Sequence, residues 1–121
     1  MKIRTAEASK NQLDWGLAKA LKLKPSIGRN SLGAFVQYKK AGCDFFRAVK
    51  HTDPAVCMGL IKEYCIQLFT FTLNGQRFWD ATISGAADAR GCDTPEQAVA
   101  RCVISMKLGD EFEVPDELGV V

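Results

Sequence analysis

The dipeptide Asn74-Gly75, placed between two apolar runs, is the feature that most constrains how this chain can fold. Both residue types tolerate a positive φ, which a two-residue type I′ turn requires at its two central positions. The flanking segments Tyr64–Leu73 and Gln76–Ile83 are rich in aromatic and branched side chains, which favour strands. We therefore predict a β-hairpin over residues 64–83.

The same turn determines which side chains share a face of the hairpin. Phe71 then faces Phe78 on one side, and Thr70 faces Trp79 on the other. Since both faces carry large apolar groups, we expect helices or loops to cover both, or a bulge to switch the faces midway. A lone hairpin is not stable in water, so it needs further strands or the packing of a helix.

A helix is predicted near the C-terminal end, over residues 94–108. Thr94 is a suitable N-cap, Pro95 occupies the first helical position, and Gln97 can complete a capping box. Gly109 can end the helix. The apolar residues that recur at the spacing of one helical face are Val99, Cys102, Val103 and Met106.

A second helix is predicted near residues 9–22, with Ser9 as N-cap and Gln12 closing its capping box. Its core-facing stripe consists of Leu13, Leu17, Ala18, Ala20 and Leu21. These elements together predict an α+β fold. In it, an antiparallel sheet of three or more strands, built on the central hairpin 64–83, is packed by the N-terminal and C-terminal helices.

The segment between the first helix and the hairpin carries weaker local signals. Proline and glycine predict a loop over residues 22–33, and a strand is predicted over residues 35–39. We expect residues 40–59 to be irregular apart from one short helix, which begins at Asp44 or at the cap signal Asp53-Pro54.

Two further segments flank the C-terminal helix. Ser84–Asp93 is rich in small residues, which indicates a loop. Asp110–Val114 is predicted to be a short acidic edge strand or a tail. Neither segment carries a residue pattern that identifies a site.

The length of 121 residues fits one globular domain spanning residues 1–121. An apolar fraction of 47% excludes a disordered chain. No apolar run approaches the roughly 20 residues that a membrane span needs, and no signal-peptide core follows Met1. We therefore expect a cytoplasmic protein that does not associate with membranes.

The inventory of catalytic and metal-binding residues is small. The five cysteines are odd in number and contain no C-x-x-C pair, so reduced thiols and no structural metal are expected. His51 is the only histidine. A Cys–His nucleophile through Cys43 or Cys57 with His51 is the least favoured interpretation, because free cysteines often act as small core side chains. We expect no cofactor and no enzymatic activity.

Three residues stand out as candidates for a binding site. Asp14 falls inside the apolar arc of the first helix, and Trp15 lies on its flank. A carboxylate placed there must find hydrogen-bond donors, and a bond to a loop backbone or to a Lys or Arg is the simplest explanation. The alternative is a ligand pocket lined by Asp14, Trp15 and Trp79.

Charge is distributed unevenly along the chain. Residues 1–50 contain eleven Lys and Arg against three acidic residues, and residues 51–121 contain five against eleven. A basic half of this kind is one signature of nucleic-acid binding. We expect such binding to be weak, because the acidic residues of Asp110–Glu117 can fold back and screen the basic half.

The two ends of the chain carry a recognisable pattern. The blocks are Met1-Lys2-Ile3-Arg4-Thr5, Leu13-Asp14-Trp15, Ala18-Lys19, Thr94-Pro95, Ala98, Arg101-Cys102-Val103, Lys107-Leu108-Gly109-Asp110-Glu111 and Val114-Pro115. In order and spacing they resemble the ends of NinX-like proteins of lambdoid phages and prophages, a family of unknown function. The family's Gly-Gly-Pro segment is replaced here by Asp53–Lys62.

This resemblance implies a phage or prophage origin and a bacterial host cell, and it implies no reaction. Together with the small catalytic inventory, it favours a non-enzymatic accessory protein that binds a phage or host protein. A nucleic-acid-binding module that uses the basic N-terminal half and a small-ligand binder are the alternatives.

Overall fold

Three small antiparallel sheets and four helices form the fold in a computed structural model, which describes residues 1–119. The strands are β1 (Lys2–Arg4), β2 (Pro25–Asn30), β3 (Gly33–Lys39), β4 (Phe46–Ala48), β5 (Gln67–Leu73), β6 (Gln76–Ile83), β7 (Ala87–Cys92) and β8 (Glu111–Glu113). The helices are α1 (Asn11–Ala20), α2 (Pro54–Tyr64), α3 (Pro95–Leu108) and α4 (Asp116–Gly119). The sheets are β1–β8, β2–β3–β4 and β5–β6–β7, which confirms the predicted α+β class with antiparallel sheets.

The predicted hairpin is confirmed together with its register. Asn74 and Gly75 have φ values of 53° and 80°, as the predicted turn requires. The pairs Phe71–Phe78 and Thr70–Trp79 lie opposite each other as expected. The first strand of the hairpin nevertheless starts at Gln67 and not at the predicted residue 64, because α2 continues as far as Tyr64.

The third strand of this sheet corrects the predicted loop over Ser84–Asp93. Residues Ala87–Cys92 pair with β6 along its other edge, and a bulge interrupts the pairing between Trp79 and Ala81. β7 consists of Ala, Asp, Arg, Gly and Cys residues, none of which favours a strand strongly. Backbone hydrogen bonds to the edge of β6 stabilise the extended conformation of β7, for which its own residues have little preference.

A second sheet occupies the segment between α1 and α2. The predicted strand over residues 35–39 is confirmed as part of β3, whereas a loop and irregular chain were predicted on either side of it. Pro25–Asn30 is strand β2, with its proline at the first position, where a missing N–H is tolerated. Gly28 leaves room for the ring of Phe35 on the neighbouring strand, since a Cβ at Gly28 would lie 2.4 Å from that ring. Phe46–Ala48 forms strand β4 and not a short helix beginning at Asp44.

The helix of this segment begins at the second predicted signal and is longer than expected. The side chain of Asp53 accepts a hydrogen bond from the backbone N–H of Ala55 at 2.9 Å, and Pro54 begins the helix. Gly59 does not interrupt it. α2 therefore runs for eleven residues to Tyr64.

The two predicted terminal helices differ in how well their N-termini match the expectation. Thr94 caps α3, accepting from the N–H of Gln97 at 3.1 Å. α1 begins at Asn11 without a side-chain cap, although the N–H of Ser9 does donate to Gln12 Oε1 at 3.2 Å. The N-cap position of α1 is Lys10, whose φ of 51° and ψ of −123° lie in a region that glycine favours.

The core lies around α3, which packs against β6 and β7 and also against α1 and α2. Its buried residues are Ala98, Val99, Ala100, Cys102, Val103 and Ile104. A smaller apolar cluster joins α1 to the second sheet and to α4 through Ala18, Val36, Val49 and Leu118. The predicted acidic strand is confirmed as β8, which pairs Phe112 with Ile3 of β1. Within residues 1–119, no helix has the length and apolar character of a membrane span.

Two glycines allow a matched test of the hairpin turn. A Cβ added at Gly75 or at Gly59 would meet no atom within 4 Å, so the two positions differ mainly in backbone conformation. We expect Gly75→Ala to lower the free energy of unfolding by about 1–2 kcal/mol, because its φ is positive. Gly59→Ala in α2 should raise it by about 0.5–1 kcal/mol. Urea unfolding measures both, and equal effects at the two positions would contradict the turn.

The buried thiol of Cys102 makes stability depend on pH. Burial raises the pKa of this thiol from 9.0 to about 11, so the folded state disfavours the thiolate. The stabilisation is complete below pH 9 and is lost as the pH rises toward 11. We expect the free energy of unfolding to fall by roughly 2–3 kcal/mol more in the wild type than in Cys102→Ala over this interval. If the free energy of unfolding falls equally with pH in the wild type and in Cys102→Ala, the pH dependence does not come from Cys102.

Candidate functional site

Asp14, the first candidate residue, forms a buried pair with the only histidine. Its Oδ1 accepts the backbone N–H of His51 at 2.7 Å, and Nδ1 of the His51 ring lies 2.6 Å from the same oxygen. Each residue is only 8% exposed. Since the carboxylate accepts, Nδ1 carries the proton and Nε2 is the free ring nitrogen.

Local sequence explains one half of this pair. The phase of α1 places Asp14 on the inner side of the helix, where a carboxylate needs donors, and a loop backbone does supply one of them. His51 follows β4 and is separated from Asp14 by 37 positions, so no short-range signal connects the two. Sequence reasoning considered His51 only with the cysteines and missed this contact.

Neither of the two cysteines suggested as partners of His51 forms a hydrogen bond with it within residues 1–119. Both hydrogen bonds that His51 forms within the described chain go to Asp14. Burial raises the pKa of the Cys57 thiol, and the carboxylate of Glu96 adds to this shift. The thiol of Cys57 is therefore held neutral, which disfavours a thiolate nucleophile.

The two tryptophans of the predicted pocket pack against the core. Trp15 is half-buried between the two apolar clusters, and the Nζ atom of Lys19 lies 5.8 Å from the centre of its ring. Trp79 is half-buried against the main core on β6. The cavity that Asp14 lines, next to His51, includes neither tryptophan in its wall.

A row of exposed apolar side chains on β5 is the most unusual surface feature. Phe69, Phe71 and Leu73 alternate along the strand and therefore share one face. They are 54%, 42% and 58% exposed. Phe78 of β6 extends the row, with its ring centre 5.6 Å from that of Phe71. Of the two alternatives predicted for the hairpin, cover over both faces does not hold for this part, whereas a bulge is present between Trp79 and Ala81.

The free edge of β5 adds backbone groups to the same surface. β5 is the outer strand of its sheet, so one side of its backbone has no strand partner within the described chain. Its residues Gln67–Leu73 include no charge and no proline. Natural edge strands are commonly protected by such residues or by bulges, and an unprotected apolar edge is suited to pairing with another chain.

The acidic segment Asp110–Glu117 folds back onto the start of the basic half, where the strand register places Glu113 opposite Lys2 and Glu111 opposite Arg4. Among the Lys and Arg residues of positions 1–50, ion pairing within the described structure is limited to Arg29, which contacts Glu117 at 3.5 Å. Glu113 and Asp116 instead lie near the N-terminal ammonium group of Met1. The acidic segment thus folds back mainly onto the start of the chain.

Comparison with known proteins supplies no assignment: no family model matches the chain, and no curated protein matches it. The resemblance of its two ends to NinX-like proteins stays a prediction. A function for this chain has to be inferred from the geometry of Asp14, His51 and β5.

The Asp14–His51 contact should be a large contributor to stability. Asp14→Ala leaves two buried N–H groups of His51 without an acceptor, so we expect the free energy of unfolding to fall by about 2–4 kcal/mol. Asp44→Ala removes an exposed carboxylate and should change it by less than about 0.5 kcal/mol. Equilibrium urea unfolding compares the two variants. A loss at Asp14 no larger than at Asp44 would show that the pair contributes little.

Proposed function

We propose that this protein is a non-enzymatic protein-binding module whose interaction surface is β5. The row Phe69, Phe71 and Leu73 beside a free strand edge carries this proposal. An extended segment of a partner protein adds to the sheet as a further strand, and its backbone pairs with that of β5. Its apolar side chains cover the exposed row.

The chemistry of β5 specifies the partner segment. Because Gln67–Leu73 is uncharged, a partner strand with charges opposite the row would lose their hydration without compensation. Complete burial of one Phe or Leu side chain contributes roughly 1.5–3 kcal/mol, so three half-exposed side chains supply several kcal/mol. An uncharged strand rich in branched or aromatic residues fits this surface.

The resemblance to NinX-like proteins suggests where such a partner would be found. We infer a phage or prophage accessory role in a bacterial cell, with a phage or host protein as the partner. Strand addition needs no catalytic group, cofactor or metal from this chain, which agrees with its small catalytic inventory.

Two matched substitutions test the surface. Phe71→Lys places a charge in the middle of the exposed row, and Phe45→Lys makes the same change at a side chain that is 60% exposed near β4. In affinity capture from phage-infected cells, we expect the affinity of Phe71→Lys for a specific partner to be at least about tenfold lower than that of the wild type, which is equivalent to 1.4 kcal/mol. Phe45→Lys should retain it.

The test of the interface is the difference in partner retention between Phe71→Lys and Phe45→Lys. A partner retained by Phe71→Lys and lost by Phe45→Lys would move the interface to the second sheet and refute the proposal. Circular dichroism of both variants checks that the fold is intact. A captured partner should also be displaced by a synthetic peptide of its own β-strand segment.

A second candidate function, nucleic-acid binding, is favoured by the basic half of the chain, in which Arg29 is the only Lys or Arg with an ion pair within residues 1–119. The cations of the second sheet do not share one face, because the strand register places Arg29 and Arg47 on one side and Lys39 on the other. A single strand or duplex can therefore meet only a few of them at once. Binding should be weak and without sequence preference.

The dependence of affinity on salt measures how many phosphates are contacted. Each contact with duplex DNA contributes about −0.9 to the slope of log affinity against log salt concentration. We expect a slope shallower than about −3, measured with labelled duplex and single strands between roughly 50 and 200 mM salt. A slope steeper than about −5 with sub-micromolar affinity would place nucleic-acid binding ahead of protein binding.

A further inference from the structure

The free edge of β5 exposes the backbone groups of alternate residues. The two-residue turn closes on the hydrogen-bonded pair Leu73–Gln76, so the odd-numbered residues of β5 direct their N–H and C=O groups toward β6. The groups of Leu68, Thr70 and Thr72 therefore point outward, where β5 has no strand partner within residues 1–119. Each of these residues offers one donor and one acceptor to an incoming strand.

This edge is complementary to a second copy of itself in antiparallel orientation. When Gln67–Leu73 overlaps completely with the same strand of a second copy, Thr70 lies on the two-fold axis. The outward groups of Leu68 then meet those of Thr72 in the second copy, so every outward group has a counterpart. A two-fold axis at Phe71 would instead place Leu68 opposite Asn74, which belongs to the turn and not to the strand.

The same register aligns the exposed aromatic rings. Phe69 lies opposite Phe71 of the second copy in a non-hydrogen-bonded pair, the kind in which side chains approach most closely. Phe71 already stacks on Phe78, with the ring centres 5.6 Å apart. The rings of Phe78, Phe71 and Phe69 of the second copy therefore follow one another across neighbouring strands, and the two-fold axis repeats the arrangement. Aromatic cross-strand pairs of this kind stabilise a sheet.

Charge does not oppose this pairing. Gln67–Leu73 contains no charged residue, so no like charges lie opposite each other, and the formal net charge of the chain is only +2. The other outer strand of this sheet, β7, carries Asp88 and Arg90, and its pairing with β6 contains a bulge. Charges and bulges protect an edge from further pairing, so association through β5 stops at two copies.

We propose that this protein forms a reversible homodimer in which β5 pairs antiparallel with β5 of a second copy. Two three-stranded sheets thereby join into one continuous sheet. This inference rests on the edge that the proposed function uses, and a second copy competes there with the segment of a partner protein.

The size of the contact makes the homodimer weak. One strand of seven residues per copy is far smaller than the roughly 20–30 residues that each side of a standard interface contributes. We therefore expect a dissociation constant of about 0.1 mM. At micromolar concentrations most of the protein is monomeric, and its β5 edge is free to bind a partner protein.

Sedimentation equilibrium of the purified protein tests the homodimer directly. Between about 10 µM and 1 mM, the average mass of the wild type should rise from 13.3 kDa toward twice that value. Thr70→Lys and Thr70→Glu each place like charges opposite each other on the two-fold axis, so each variant alone should dimerise at least about tenfold more weakly. An equimolar mixture places Lys opposite Glu and should restore association.

The same substitutions at another exposed threonine provide the control. Thr52 lies before α2 and outside the sheet β5–β6–β7. Thr52→Lys and Thr52→Glu should dimerise like the wild type, alone and mixed. Recovery of association in the mixture of Thr70 variants also shows that both variants are folded.

Three results would overturn the homodimer. They are a wild-type mass that stays at 13.3 kDa up to about 1 mM, Thr70 variants that each dimerise like the wild type, and a mixture of Thr70 variants that stays monomeric. None of them depends on a captured protein. Equal capture of a partner by Phe71→Lys and Phe45→Lys would instead refute the proposed function and leave the homodimer in place.

Discussion

The burial of α3 on nearly every side is the constraint on which the rest of the structure depends. A helix that is apolar around most of its circumference is stable only when other elements cover it. β6 and β7 cover one side, and α1 and α2 cover others. The approach of α1 is close, because a Cβ at Gly16 would lie 2.9 Å from the side chain of Ile104 and 2.7 Å from that of Phe112.

The same packing explains why one surface is left open. Ala81 and Ile83, at the base of the hairpin, are buried in the core around α3. The part of β5 from Phe69 to Leu73 carries exposed side chains that no helix covers. The core therefore holds the hairpin firmly at one end and presents an apolar, uncharged edge at the other, which is the arrangement expected of a surface that pairs with another protein.

The hairpin and the start of α3 could be predicted from the sequence, because residues close to each turn or helix end determine them. Asn74 and Gly75 tolerate the positive φ values that the hairpin turn requires, and this turn sets the register of the hairpin. Thr94 and Pro95 set the start of α3. Strands β2, β4 and β7 could not be predicted, because β4 has only three residues and β2 and β7 consist mostly of small or polar residues. All three adopt extended structure through pairing with a neighbouring strand. Asp14 was identified as a carboxylate in need of donors, but its partner His51 lies 37 positions away.

Amide hydrogen exchange of the protein, alone and in its captured complex, tests most directly whether β5 is the interaction surface. In the free protein, the amides of Phe69–Leu73 that do not point toward β6 should exchange rapidly, because they are at a free edge. In the complex they should show the largest slowing anywhere in the chain. Protection confined to β2–β4, with unchanged exchange in β5, would contradict this account.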